Sequence, residues 1–235
     1  MKSDCNHPTF GDQVVSFFDS LQMPKGLPPD VEVVCPYGHA DVRQAMGDFY
    51  HTFFNDKNQR VFVLGINPGR FGSGMTGIPF TDPVALENHC GIGNPFDKRR
   101  ELSSEFVYKF IDAYGGPKKF YTNFFLSAIS PIGFVRDGKN YNYYDDSDFC
   151  QALRPLIVET LKEQISFGAK PVVILFGTGK NQAFFTELNS KYHFFDTVFA
   201  LEHPRYIMQY KRKHVDAYVK KYMDVFSQAL KIATR

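Results

Sequence analysis

The sequence predicts an α/β fold: a three-layer α/β/α sandwich around a central four-stranded, mostly parallel sheet, in one domain over residues 1–235. Two observations predict it. Four short apolar runs, rich in β-branched and aromatic residues, stop at Gly, Asn or Pro and read as strands: residues 60–66 (RVFVLGI), 119–126 (KFYTNFFL), 171–176 (PVVILF) and 197–201 (TVFAL). Their hydrophobicity is continuous rather than alternating, as expected of a parallel sheet covered on both faces. Between them lie segments of helical periodicity, and alternating strands and helices define the layered α/β class.

Taken along the chain, residues 28–37 carry PP and CPY turns and read as a lead-in segment. A helix is expected over 42–54, before the first strand. Residues 65–80 (GINPGRFGSGMTGIPF) then form a glycine-rich loop. A helix over 103–114 precedes the second strand, and residues 134–148, rich in Asn, Asp, Tyr and Gly, read as a surface excursion. Helices over 147–167 and 179–188 bracket the third strand, and a last one covers 215–232. There is no internal repeat and no linker.

Composition sets limits. With 27 Lys+Arg against 25 Asp+Glu, the net charge of +2 excludes an indiscriminate polybasic binder but leaves room for a local basic face. The four cysteines (Cys5, Cys35, Cys90, Cys150) are far apart, so zinc and iron–sulfur signatures are lacking and reduced thiols in or near the core are expected. Residues 1–10 have no apolar leader, and no run approaches a membrane span. A soluble intracellular monomer without metal, cofactor or membrane contact is expected.

In open α/β sheets ligands bind beyond the carboxyl ends of the strands. That rule brings Asn67, Asn123 and His203 to one edge, with Gly177–Lys180 beside them. The glycine-rich loop contains Gly72-x-Gly74-x-x-Gly77, a literal dinucleotide pattern. The triplet starts six residues beyond the strand, however, and runs into Ile-Pro-Phe-Thr-Asp-Pro, which opposes the helix a pyrophosphate needs. No Gly-Lys-Ser/Thr follows, so a Walker loop fails too. On the residues alone, the segment is equally a structural loop or one whose backbone amides approach a ligand. Phe80 reads as core packing, His203 as a solvated loop residue, and Gly177–Lys180 as a tight turn opening a helix.

The run GINPG-x-F-G-x-x-x-T-G-I-P-F resembles motif one of the uracil-DNA glycosylase superfamily, nearest to its single-strand-selective monofunctional branch. The resemblance spans roughly residues 30–225. ELSSEFVYKF (101–110) is similar to a family helix, Thr122-Asn123-Phe124 to its H-N-L, Gly177-Thr-Gly to its third-strand G-V-G, and His203-Pro204 to motif two. The chain departs from the family where H-P-S is expected, because Arg205 replaces the Ser and a different wedge segment follows.

The resemblance implies a monofunctional enzyme that flips uracil out of DNA and hydrolyses its glycosidic bond, on single- or double-stranded substrate. It also admits xanthine or 5-hydroxymethyluracil. Asn67 and His203 become the catalytic candidates: Asn67 to orient water, though it is a poor base, and His203 to donate a hydrogen bond as charge develops on the base. Ile66, Gly69, Phe80 and Asn123 become base-binding candidates, with Phe80 stacking and the Asn123 amide reading the uracil edge. Gly72, Ser73, Met75, Thr76, Arg205, Tyr206, Ile207, Met208, Lys211, Arg212 and Lys213 become DNA-binding candidates. Among them the 206–208 loop supplies an apolar wedge and the cations neutralise phosphates. A non-catalytic nucleic-acid-binding or nucleotide-binding module on the same fold is the alternative.

Overall fold

A computed structural model describes residues 7–234; Cys5 lies outside them. Strands β2 (Arg60–Gly65), β3 (Phe124–Ala128), β6 (Ala169–Phe176) and β7 (Thr197–Leu201) form a parallel sheet in the order β3-β2-β6-β7. Every residue of β2 and β3 is buried, which explains why neither alternates. Helices cover the sheet: α1 (Phe10–Ser20), α2 (Ala40–Phe53), α5 (Leu102–Tyr114), α6 (Pro117–Asn123), α7 (Ser147–Ser166), α8 (Lys180–Tyr192) and α10 (Val215–Ala233). Shorter helices are α3 (Ser73–Thr76), α4 (Pro83–Asn88) and α9 (Pro204–Tyr210). A second sheet joins β1 (Val31–Val34), β4 (Gly133–Arg136) and β5 (Lys139–Tyr141) in antiparallel order β1-β4-β5. The four-stranded parallel α/β architecture is the one expected.

Four local expectations change. Residues 117–123 are helical, so the expected strand over 119–126 starts only at Phe124. Gly116 at φ 90° turns the chain, and Pro117 at the first helical position pre-sets the helix. Residues 134–148 are no mere excursion: they hold a hairpin, and Phe134, Val135 and Tyr143 are buried. The 28–37 segment supplies β1, the hairpin's partner. Residues 204–210, expected as a loop, form a helix with Pro204 at its start.

The aromatic surplus is mostly core. Phe10, Phe54, Phe62 and Phe125 pack with centroids 4.9–6.2 Å apart. Arg60 opens β2 wholly buried, its guanidinium 4.7 Å from the centroids of Phe10 and Phe54. Asp56 accepts two hydrogen bonds from it at 2.8 and 2.9 Å, and the carbonyls of Tyr121 and Asn58 accept two more. A buried charge is tolerable only with that degree of pairing. Cys35, Cys90 and Cys150 are free and partly buried.

Candidate active site

Beyond the carboxyl ends of β2, β3 and β7 lies a cavity of about 520 Å³. Its wall is built from Gly65–Ser73, Pro79–Phe80, Ser127–Ala128, Asn140, Asn142, and from His203 onward through Arg205, Tyr206, Gln209 and Tyr210.

Asn67 follows the end of β2 and is held by backbone alone. Its Oδ1 accepts from the Tyr143 amide at 3.3 Å, and its Nδ2 donates to the carbonyls of Pro68 and Tyr141, also at 3.3 Å. The amide orientation is thereby fixed: flipping it would set the oxygen against two carbonyls. A second Oδ1 lone pair remains for a water. Tyr143 is anchored in turn, its hydroxyl donating to Asn181 Oδ1 at 2.8 Å, and Asn181 donates to the carbonyl of Gly177. Burial raises the Tyr143 phenol well above its usual range, so it stays a donor.

Phe80 stands at φ 57°, a left-handed conformation that a non-glycine residue adopts only when its surroundings impose it. Its ring lies over Gly65, where a Cβ would come within 2.5 Å of it. The ring packs edge-on to Phe176 at 5.3 Å and sits 5.9 Å from the His203 ring. A strand-ending glycine thus makes room for the aromatic floor.

His203 precedes α9 and caps it: Nδ1 accepts the Arg205 amide at 3.2 Å. An accepting Nδ1 carries no proton, so in the neutral ring the proton is on Nε2. Enclosure by protein pushes the pKa down to about 4, with the Arg205 charge adding to it. At neutral pH His203 is therefore an uncharged Nε2–H donor.

Of the residues singled out from sequence, Asn67, His203, Ile66, Gly69, Phe80, Gly72, Ser73, Arg205 and Tyr206 share the cavity wall. Asn123 does not. It ends α6 at the amino end of β3, four residues before the cavity-lining Ser127, and its Nδ2 donates to Lys119 O within its own helix. The expected edge-reading amide is therefore misplaced, because the strand begins later than its apolar run. Thr76 is buried, with its hydroxyl turned to the carbonyls of Ile78 and Thr81, and Met75 stands off the wall. Ile207 and Met208 are buried against the core side of α9, so neither projects as a wedge; Tyr206 and Tyr210, one turn apart and 5.5 Å between centroids, are the exposed aromatics of that helix. Lys211, Arg212 and Lys213 lie beyond the wall, and Arg212 pairs with Glu105 at 2.9 Å.

Sequence reading missed Asn140, Asn142, Ser127 and Tyr210. The first two arrive on the hairpin, whose Asn140 Oδ1 accepts the Arg70 amide at 3.2 Å. Tyr210 could have been found from its i, i+4 spacing to Tyr206. Ser127 donates to Gln164 Oε1 and closes the floor on the β3 side.

The parallel-sheet pocket thus combines an aromatic floor, a fixed amide and a neutral imidazole donor. The uracil DNA glycosylase superfamily model matches residues 51–227. The crystal structure of wild-type SMUG2 from Pedobacter heparinus superposes with a TM-score of 0.91 at 39% identity, covering 94% of this chain and 98% of that one. No curated protein matches. The chain belongs to the uracil DNA glycosylase superfamily, and is thus a DNA glycosylase, a hydrolase of N-glycosidic bonds.

Proposed function

We propose that the chain is a monofunctional base-excision enzyme that flips uracil out of DNA and hydrolyses its glycosidic bond, leaving an abasic site. The observation that carries this reading is His203, a neutral Nε2–H donor fixed beside the Phe80 ring on a cavity wall that it shares with Asn67. As the bond to the sugar stretches, negative charge gathers on the base, and a preset donor stabilises it by several kcal/mol. Phe80 stacks under the base, a contact worth roughly 1–3 kcal/mol. Asn67 Oδ1 aligns the water; an oxocarbenium-like sugar makes a weakly activated nucleophile sufficient.

With Asn123 elsewhere, β3 presents Ser127 and Ala128 to the pocket rather than a carboxamide. Recognition then falls to backbone groups and to Asn140 and Asn142 on the hairpin. Uracil offers acceptor, N–H donor, acceptor along its edge; xanthine and 5-hydroxymethyluracil offer the same order, and cytosine does not. A reader of that order accepts all three, which extends the proposed substrate range. Lys139 reaches the rim but is exposed on the hairpin, so no Schiff base with the sugar is assigned to it.

The test is single-turnover excision on single- and double-stranded oligonucleotides carrying uracil, xanthine, 5-hydroxymethyluracil or cytosine. Alkali-labile sites at the first three, and no borohydride-trapped adduct, are expected. Absence of any alkali-labile site at enzyme excess overturns the reading in favour of a non-catalytic binding module.

A further inference from the structure

Three cations stand near the mouth of the cavity: Arg70 and Lys139 on its wall, and Arg99 beside Phe71. The Arg70 guanidinium lies 4.6 Å and the Arg99 guanidinium 3.6 Å from the centroid of the Phe71 ring, so the two charges are no more than roughly 8 Å apart. Among the described residues, no carboxylate lies within ion-pair distance of any of the three. The nearby Glu101 is engaged by Ser103, the Ser104 amide and Arg205. Arg70 Nε is buried without a hydrogen-bond partner.

Arg60 shows what a completed arrangement of this kind looks like in the same chain. It too stacks on aromatic rings, but Asp56 and two carbonyls satisfy its donors. Around Phe71 the rings and the guanidiniums are present and the acceptors are not. Two like charges gathered on one ring, one with an orphaned donor, lack an anion with several oxygens.

We propose that Arg70, Phe71 and Arg99 form a clamp for a phosphodiester of the DNA strand whose base enters the cavity. The ring holds the two guanidiniums apart and aimed, and the phosphate oxygens accept from both. Lys139 extends the positive track along the hairpin. The inference rests on the DNA-glycosylase reading and adds a phosphate subsite on the glycine loop, distinct from the basic run that follows His203.

Arg99 is exposed, so Arg99→Ala leaves the fold intact and is the variant to use. Its binding to a single-stranded oligonucleotide with an uncleavable abasic analogue is measured by fluorescence anisotropy across a salt series. Neutral methylphosphonates replace the flanking phosphates one at a time. Expected are about 5- to 10-fold weaker binding and a salt slope reduced by roughly 0.7, the value for one phosphate contact on a single strand. One methylphosphonate position should weaken the wild type and have no further effect on the variant, and Arg99→Lys should restore most of the slope. Excision by the variant should fall at low DNA and recover at saturation.

Identical slopes and phosphonate profiles in wild type and variant overturn the clamp. So does Arg99-dependent binding of inorganic phosphate alone with an unchanged DNA slope, which would assign the site to free phosphate. A wild type that excises nothing yet keeps the Arg99-dependent profile would support the clamp while the glycosylase reading fails.

Discussion

On the His203 flank of the cavity, Arg205, Arg212 and Lys221 each stand within ion-pair distance of a carboxylate: Glu101 at 4.0 Å, Glu105 at 2.9 Å and Glu202 at 2.8 Å. On the glycine-loop flank, Arg70, Arg99 and Lys139 have no such partner among the described residues. In the basic run that follows His203, Arg205, Arg212 and Lys221 are already paired by acids outside the run, whereas Lys211 and Lys213 have no ion-pair partner among the described residues. Phosphate attraction is set by what remains unpaired, so a run of Lys and Arg overstates its own field. The flanks also hold their polar groups differently. Asn67 is fixed by the backbone of a separate hairpin, whereas His203 is fixed within its own segment, by the first turn of α9.

The largest effect that would sharpen this contrast is at His203. His203→Ala should lower single-turnover excision about 10²- to 10³-fold with the fold retained by circular dichroism; a wild-type rate would remove the donor from the mechanism. The same residue carries a stability signature. Its pKa of about 4 in the folded chain lies below the ordinary 6.5, so the unfolded chain binds the proton first. Stability should be full above about pH 6.5 and decline as pH falls toward 4, by at most about 3 kcal/mol. Urea melts of the wild type and His203→Asn at pH 7 and pH 5 check this, the variant showing the smaller loss; equal losses would refute the neutral state.

Asn67 tests the other flank. Asn67→Asp offers a better base but turns a carboxylate oxygen toward the carbonyls of Pro68 and Tyr141. A stability loss of about 1–3 kcal/mol is expected, with no gain in excision rate. A faster and equally stable variant would mean that the hairpin does not hold the side chain as described.

Smaller still is the effect expected at α9. Tyr206→Ala should cost about 10-fold in excision from duplex DNA and less from single strands, because only the duplex must be held open. Equal losses on both would remove Tyr206 as the stack-filling residue. Last, Arg212→Gln, at a cation already paired with Glu105, should weaken DNA binding by no more than about threefold. Losses matching Arg99→Ala would erase the difference between the flanks.

Much of this was legible in the residues. The parallel sheet followed from continuous apolar runs, and Asn67, Phe80 and His203 from a motif tied to strand ends. What failed had local physical causes. Residues 119–123 bring two aromatics directly before the apolar Phe124–Leu126 and so extend the run in sequence, yet Gly116-Pro117 nucleates a helix there, and Asn123 moves with it to the amino end of β3. The start of α1 is written in the sequence as well, in the Thr9-x-x-Asp12 capping box. The 206–208 segment looked like an apolar wedge because burial of Ile207 and Met208 depends on α5 and α10 packing beneath, which one segment cannot announce. The hairpin residues Asn140 and Asn142 could not be placed from pattern at all, since their position comes from the pairing of β4 with β1, about a hundred residues upstream.

The hydrogen bond from the Tyr143 amide to Asn67 Oδ1 gives the molecule a built-in spectroscopic probe. That proton belongs to a peptide group remote in sequence from the glycine loop, yet its chemical shift and its exchange with solvent track the oxygen proposed to align the water. Labelling the tyrosine nitrogens alone would therefore let an observer watch the site fill and empty without touching any residue that binds the base.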